Sequence, residues 1–434
     1  MSRRRFLSSL GAGAAALAAP WAGSRMARAA GERPNILLIM ADDVGREVLG
    51  CYGGTSYKTP HLDRLAERGI RFTHCYSCPV CAPSRRKIMT GRYGFRTGGG
   101  WGTIPAHEKT FGHVLGDAGY ATAIAGKWQM CLFKRNPDHA AEMGFDQSCL
   151  FGWHEGPRYH DPLVYWNGEK RVLEGRYGPD VYTDFLIDLM ERNKEKPFLA
   201  YFPMACCHAV SDDFMPRPPR APDGKYQSYA ELVEVMDRCV GRLVAALERL
   251  GLRQKTVVLY TTDNGSPGSF YVDLKPDGKH FVSERVVSKM GERTVRGGKG
   301  QMTDGGTRVP LIANWPGTAP AGTVCDDLID FSDFLPTLAD LAGAELPDDR
   351  PIDGVSFAPQ LRGKQGRPRR WCYNQWRGKA WARTHRWKLY RDGKLFDVQK
   401  DPAEKHPIPP GEGGDEAEKA RKMLAAVLER LKAG

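Results

Sequence analysis

The stretch "NILLIMADD", residues 35–43, is an unbroken apolar run that stops on two carboxylates. A strand with one wet face alternates polar with apolar residues. A continuous apolar run of this length therefore reads as a strand buried on both faces. Three further runs repeat the pattern. "ATAIA" (121–125) ends at Gly126-Lys127, "FLAYFP" (198–203) runs towards His208, and "TVVLYTT" (256–262) ends at Asp263-Asn264-Gly265. Between the last two, Leu232, Met236, Val240, Leu243, Leu247 and Leu250 recur at helical spacing, and Gly251 closes the helix. Buried strands alternating with amphipathic helices imply an α/β fold, a large domain with a central, mostly parallel sheet flanked by helices. Ligands of such sheets bind just beyond the carboxyl ends of the strands. Four strands that each end in a charged or metal-competent residue therefore point to one shared site.

The 434 residues allow one large domain with an appendage or two ordinary domains. Pro- and Gly-rich stretches at 211–225 and 264–306 read as loops, the second long enough to be a functional loop over the site. A soft segment at 344–370 separates a catalytic α/β domain, 30–345, from a small C-terminal α+β subdomain, 346–434. The subdomain holds "WKLYRDGKLFDV" (387–398), a hairpin turning at Asp392-Gly393, and a helix at 415–432. Residues 1–29 stand apart from the fold. A basic start, a Gly/Ala-rich apolar middle and Ala27-Arg28-Ala29 at the end mark an export signal. Arg3-Arg4 followed by Phe6-Leu7 resembles the twin-arginine type, with an ordinary secretory signal or an uncleaved anchor as the alternatives. Its removal would take five arginines and no acid from a net charge of +12, leaving a mildly basic protein suited to an anionic substrate. No later apolar run approaches the ~20 residues of a membrane span. The chain is therefore expected to be exported by the twin-arginine machinery and to be periplasmic or extracellular, with no stable membrane anchor and no nucleic-acid partner.

Residues 74–92, "HCYSCPVCAPSRRKIMTGR", space Cys75, Cys78 and Cys81 evenly. An iron–sulfur run would need a fourth cysteine about four positions on, where Arg85 stands. A zinc site would need a second Cys/His pair at close spacing, and none is present. One reactive cysteine with two packing neighbours remains. The total of eleven cysteines is odd, and Cys206-Cys207 are adjacent, which disfavours bridging them. Most of the cysteines are expected to be free and buried. Asp42, Asp43, Asp263 and Asn264 offer hard oxygens and no soft ligand, a set that suits Ca²⁺ or Mg²⁺ rather than zinc. Taken singly, Asp42-Asp43 also fits a solvated turn and "DNG" a plain hairpin turn.

Cys81-Ala82-Pro83-Ser84-Arg85, followed by Thr90-Gly91-Arg92, resembles the signature of the type I sulfatases, C-x-P-S-R with a downstream T-G-R. "NILLIMADDVG", "TPHLDRLAERGIRF", "GKW", "DNG", "GGTRVPLIANWPG", "FSDFLPTLADLAG" and "KLFDVQKDPAE" resemble further segments of that family, in family order. The resemblance covers roughly residues 34–405 and implies the alkaline-phosphatase-like fold. It also implies that a maturation enzyme converts Cys81 to formylglycine. A thiol attacking a sulfate ester would be left as a stable adduct, whereas a hydrated aldehyde has one hydroxyl to attack and a second to expel sulfate. By the same resemblance, Asp42, Asp43, Asp263, Asn264 and the modified Cys81 hold Ca²⁺. Lys127, His208 and Lys299 hold the sulfate, and Arg85 braces the formylglycine and the metal.

One position departs from the family. Gln129 follows Lys127-Trp128 where the family usually has histidine, and glutamine cannot shuttle a proton near neutral pH. It either weakens turnover of the modified residue or belongs to a subgroup's substrate contacts. The function implied is hydrolysis of a sulfate monoester on a sulfated small molecule or glycan, a carbohydrate being favoured because an exported enzyme meets polysaccharides. A phosphonate or phosphate diester hydrolase on the same scaffold and a non-catalytic sulfoglycan-binding homologue remain as alternatives. Trp101, Trp153, His154 and Trp376 lie in loops and either stack on a sugar ring or pack.

Overall fold

In the computed structural model, which describes residues 33–210 and 219–432, the apolar run at residue 35 lies in the middle of a large sheet. Its strands are Asn35–Ala41 (β1), Ile70–Tyr76 (β2), Ala121–Lys127 (β3), Gln147–Phe151 (β4), Leu163–Trp166 (β5), Glu169–Val172 (β6), Phe198–Pro203 (β7) and Thr256–Thr262 (β8). After two hairpins, Ser269–Leu274 (β9) with Phe281–Arg285 (β10) and Val287–Met290 (β11) with Arg293–Arg296 (β12), come Arg308–Asn314 (β13) and Thr323–Asp330 (β14). Among the described residues, ten strands join in the order β14-β2-β13-β8-β1-β7-β3-β4-β5-β6. The central run β8-β1-β7-β3-β4 is parallel throughout. Antiparallel pairs appear only towards the edges, where β13 meets β8 and β2 and where β5 meets β4 and β6.

The continuous apolar character of β1 follows from this position. Leu37, Ile39 and Ala41 enter one hydrophobic core, while Ile36, Leu38 and Met40 enter the other on the opposite face. Helices cover both layers. Tyr229–Arg249 opens with a capping box between Ser228 and Glu231 and buries the predicted stripe from Leu232 to Leu247. Gly178–Arg192 packs beside it on the same core.

The C-terminal piece is a four-stranded antiparallel sheet, Cys372–Trp376 (β15), Lys379–Arg383 (β16), Trp387–Tyr390 (β17) and Leu395–Asp397 (β18). The predicted hairpin turn forms between β17 and β18 at residues 391–394. The helix Gly414–Arg430 covers one face of this sheet through Ala417, Leu424 and Leu428. Cys372 and Trp381 pack on the other side with Tyr76 and Leu328 of the large sheet. The buried Lys87 ties the two sheets together, 2.7 Å from Asp330 of β14 and 3.0 Å from the Tyr373 carbonyl of β15.

The reading of 264–306 as one long loop is corrected by the two hairpins β9–β10 and β11–β12. In β9 Phe270, Val272 and Leu274 alternate towards the core, a strand signal that the reading as a loop passed over, whereas β10 and β12 are mostly exposed on both faces and carry no such alternation. The β11–β12 hairpin bridges back to residues 53–55, and the two ends of the stretch, 264–266 and 297–300, approach the strand ends. All eleven cysteines are free. Residues 211–218 of the first predicted loop and the whole of segment 1–29, expected to be an export signal, lie outside the described residues. No described helix is long and apolar enough to cross a membrane.

Candidate active site

At the carboxyl end of β1 the backbone turns left-handed at Asp43 (φ 59°), a conformation that aspartate tolerates better than most residues. In a continued strand Asp42 and Asp43 would point to opposite faces. Here both reach the same site. Asp42 Oδ2 lies 2.6 Å from Lys127 Nζ and 3.3 Å from the Arg85 guanidinium. Asp43 Oδ1 accepts from Asn264 Nδ2 at 2.8 Å, and its Oδ2 accepts from Lys299 Nζ at 2.6 Å. Asp263, one residue past β8, accepts from Arg85 through Oδ2 at 2.8 Å and from the Asp43 amide through Oδ1 at 3.1 Å. Lys127 closes β3 one residue after Gly126 (φ 115°), where a Cβ would sit 2.2 Å from the Pro203 carbonyl oxygen, so only glycine fits the approach of β3 to β7.

Cys81 is the first residue of the helix Cys81–Thr90. Pro83 sits in the first turn, where its missing amide costs no helical hydrogen bond. Ser84 Oγ accepts the Cys78 amide at 2.9 Å and lies 3.0 Å from the Val80 carbonyl, which pins the preceding loop. Arg85 then points inward to the carboxylates. The Cys81 thiol, Asp42 and Asp263 offer ligand atoms that all lie within 4.8 Å of one another, as do Asp42, Asp43 and His208. His208 Nε2 lies 3.2 Å from Lys299 Nζ and 3.8 Å from Asp43 Oδ2.

Burial and mutual charge set the protonation of this cluster. Burial alone would raise Asp42, but Lys127, His208, Arg85 and Lys299 outweigh it and hold its carboxylate well below the usual range. Burial and the charge of Asp42 push Asp263 up to about 7 against the pull of Arg85. Lys299 is lowered by burial but raised more by Asp43, Cys81 and Asp42, so it stays protonated. Burial raises the Cys81 thiol, with Lys127 acting against it. An unmodified thiol in this setting is a poor nucleophile at neutral pH.

Among the described residues, two oxygens of the cluster have no hydrogen-bond partner although they are buried, Asp42 Oδ1 and Asn264 Oδ1. A buried acceptor left unpaired costs about 1–3 kcal/mol. Two of them at adjoining strand ends, in an all-oxygen set, fit a hard divalent cation.

Every catalytic, sulfate-binding or metal-ligating residue named from the sequence except Gln129 is joined to this cluster by a hydrogen bond, an ion pair or ligand-atom proximity. Gln129 is buried, has left-handed backbone (φ 50°) and leaves its own Oε1 without a partner. Sequence reasoning missed Ser266, whose hydroxyl accepts the Gly45 amide at 2.9 Å and donates to Glu47 at 2.7 Å beneath the site. It also missed Arg86, Arg377 and Arg391, while the rim of the C-terminal sheet was anticipated through Trp376. Trp101, 42% exposed, stands 5.4 Å from the Trp376 ring and 6.2 Å from Trp153, and His154 packs on Trp153 at 4.0 Å. A cavity lined by Val80, Lys299, Trp101, Trp376 and Arg377 connects this aromatic group to the cluster.

A model of the Sulfatase family matches residues 34–344. The chain belongs to the type I sulfatases of the alkaline-phosphatase-like superfamily. A second match, described as N-sulphoglucosamine sulphohydrolase, C-terminal, covers residues 298–433 of this sulfatase. The steryl-sulfatase of Rattus norvegicus is 29% identical over 91% of the chain and 88% of its own length. The N-acetylgalactosamine-6-sulfatase of Canis lupus familiaris is 30% identical over 85% of the chain and 76% of its own length. A solved structure from work on glycosaminoglycan metabolism by Bacteroides thetaiotaomicron aligns with a TM-score of 0.74 at 22% identity, covering 93% of this chain and 100% of its own. A protein solved with its substrate D-glucosamine-2-N,6-O-disulfate aligns with a TM-score of 0.71 at 25% identity, covering 92% of this chain and 98% of its own. This sulfatase is a sulfuric ester hydrolase.

Proposed function

We propose that this sulfatase is exported and hydrolyses a sulfate monoester on a carbohydrate, with formylglycine at position 81 and a bound calcium ion. The observation that carries the reading is the pair of buried, unpartnered oxygens, Asp42 Oδ1 and Asn264 Oδ1, beside Cys81. Asp42, Asp43, Asp263 and Asn264 would hold the calcium together with the modified Cys81, and the ion would supply positive charge beside the nucleophile and a sulfate oxygen. Formylglycine, when formed and hydrated, supplies the attacking hydroxyl and a second hydroxyl for release of sulfate.

The remaining work falls to the chain's own side chains. Lys127, Lys299 and His208 hold the peripheral oxygens of the sulfate and offset charge that develops during transfer. Both lysines are already fixed by short ion pairs to carboxylates, so their ammonium groups need little reorganisation when substrate arrives. Arg85, fully buried against Asp42 and Asp263, keeps the two strand-end carboxylates at a fixed separation. Cys81 heads a helix, whose amino-terminal dipole favours negative charge at that position. The exposed Trp101 and its neighbour Trp376 at the mouth favour a sugar, which presents a stackable face and hydroxyls to the same surface. The basic, signal-like segment 1–29 supports export.

The test is sulfate release by protein coexpressed with a formylglycine-generating enzyme, on an aryl sulfate, defined sulfated oligosaccharides and an aryl phosphonate ester. Turnover of the sulfates with about one calcium per chain is expected. Faster turnover of the phosphonate ester would make the protein a diester hydrolase, and glycan binding without turnover would make it a binding protein.

A further inference from the structure

Beside the cavity that reaches Lys299 lies a second basin of about 470 Å³. Its walls come from three distant pieces of chain. Ala82, Pro83 and Arg86 follow Cys81 on its helix, Gly99–Thr103 form a glycine-rich loop, and Gln375–Lys379 are the β15–β16 turn, with Arg391 behind it. The two cavities share Trp101, Trp376 and Arg377, so the basin is continuous with the site.

Its charge is one-sided. Arg86, Arg377, Lys379 and Arg391 line it, and no carboxylate does. Arg86 donates to the carbonyls of Gly98 at 2.6 Å and Thr103 at 3.1 Å, and its buried Nε has no partner. Arg377 lies over the Trp376 ring at 5.4 Å, and Arg391 donates to the Tyr373 hydroxyl at 3.3 Å. None of the four makes an ion pair among the described residues, whereas most cations around them do. The larger basin on the other side of the β15–β16 turn, which Arg377, Lys379 and Arg391 also border, provides the contrast. There Lys394 is paired with Asp392 at 2.9 Å, and Glu404 is held by Lys388 at 2.7 Å. Half-burying Arg86 without a carboxylate carries a desolvation cost, and burial pushes its guanidinium down from its ordinary value. Backbone shape keeps the basin open. Gly99 has φ 77°, and a Cβ there would lie 3.0 Å from the Arg86 guanidinium.

We propose that this basin is a subsite for a second anionic group on the glycan, a sulfate or a carboxylate borne by the sugar being desulfated or by its neighbour. The inference rests on the carbohydrate-sulfatase reading and narrows it to glycans carrying more than one negative charge. Trp101 and Trp376 lie between the two anion sites and supply the apolar surface for the sugar ring that links them. Planar, unpaired guanidinium groups suit sulfate and carboxylate alike through paired N–H donors.

The experiment compares kcat/KM on three matched oligosaccharides that share one scissile sulfate. Their adjoining position carries a neutral sugar, a uronic acid or a second sulfate. The wild-type enzyme is expected to prefer one or both charged substrates by roughly tenfold or more, chiefly through KM. The double variant Arg377→Gln/Arg391→Gln should collapse that preference towards unity and flatten the salt dependence of KM. The charge-matched control Lys194→Gln/Lys196→Gln, at the opposite end of β7, should keep the preference. Binding of a multiply sulfated oligosaccharide to the Cys81→Ala protein should weaken by the same factor in the double variant, which separates affinity from turnover. Which charged substrate is preferred distinguishes sulfate from carboxylate. Equal rates on all three substrates, or a preference that survives the double variant, would overturn the subsite while leaving the carbohydrate-sulfatase reading intact. No turnover of any of the three, with activity kept on an aryl sulfate, would overturn the carbohydrate reading itself.

Discussion

The strand-end cluster and the rim of the pocket are built in opposite ways. Asp42, Lys127 and Asp263 sit on or directly after β1, β3 and β8, buried, with Lys127 2.6 Å from Asp42 and Arg85 linking Asp42 and Asp263 at 3.3 and 2.8 Å. Trp101, Arg377 and Arg391 sit on turns, exposed, with few fixed partners. A site that must stabilise a transition state needs positions fixed to a fraction of an ångström, and the ends of a parallel sheet provide them. A surface that selects among substrates tolerates looser, loop-borne groups that change without disturbing the core. The contrast says that damage to the cluster should remove chemistry, while damage to the rim should change what is recognised.

The largest effects should come from the cluster. Cys81→Ala should reduce turnover of every sulfate ester to background while leaving glycan binding measurable by calorimetry. Asp263→Asn should remove calcium and activity together, checked by metal analysis of the purified protein. The same residue sets a pH dependence. In the metal-free protein its carboxyl is pushed up to about 7, so at lower pH a cation must displace a proton to bind. Apparent calcium affinity should fall roughly tenfold for each pH unit below about 7 and level off above it, as read by calcium titration across that range.

An intermediate effect belongs to Gln129, which lies between the two regions. Its left-handed backbone is one that histidine also accepts, so Gln129→His should fold. If Gln129 contacts the sugar, that variant should lose roughly tenfold in kcat/KM on the glycan and little on a small aryl sulfate. A product burst in the wild-type enzyme that histidine abolishes would instead make Gln129 a substitute for a proton shuttle and would blur the comparison. The smallest effect should come from Trp101→Ala. It should cost about 1 kcal/mol of glycan binding by calorimetry and about 1 kcal/mol of folding stability, because the ring is 42% exposed and packs on Trp376 and Trp153.

The same contrast decides what could be read from the sequence. Buried parallel strands leave uninterrupted apolar runs, so β1, β3, β7 and β8 and the polar residues that terminate them were legible as positions. The long helix was legible from its stripe and from Gly251, which closes it. Of the hairpins within 264–306, β10 and β12 were not legible, because strands exposed on both faces have no hydrophobic period, while β9 did carry one in Phe270, Val272 and Leu274. The left-handed turn that brings Asp42 and Asp43 to one side depends on tertiary contacts to Asn264 and Lys299, far away in the chain. The cationic basin was illegible for a similar reason. Arg86, Arg377 and Arg391 are scattered among 63 basic residues, and only the fold shows which of them lack an acidic partner.

The central claim is that the buried cluster works through a modified Cys81, and the most direct measurement is the mass of the peptide that carries it. Fully active protein, made with a formylglycine-generating enzyme and digested with trypsin, should yield that peptide with an aldehyde at position 81 that reacts with a hydrazide reagent. Activity should rise in proportion to the aldehyde fraction across preparations. Fully active protein in which the peptide carries only the intact thiol would contradict the account.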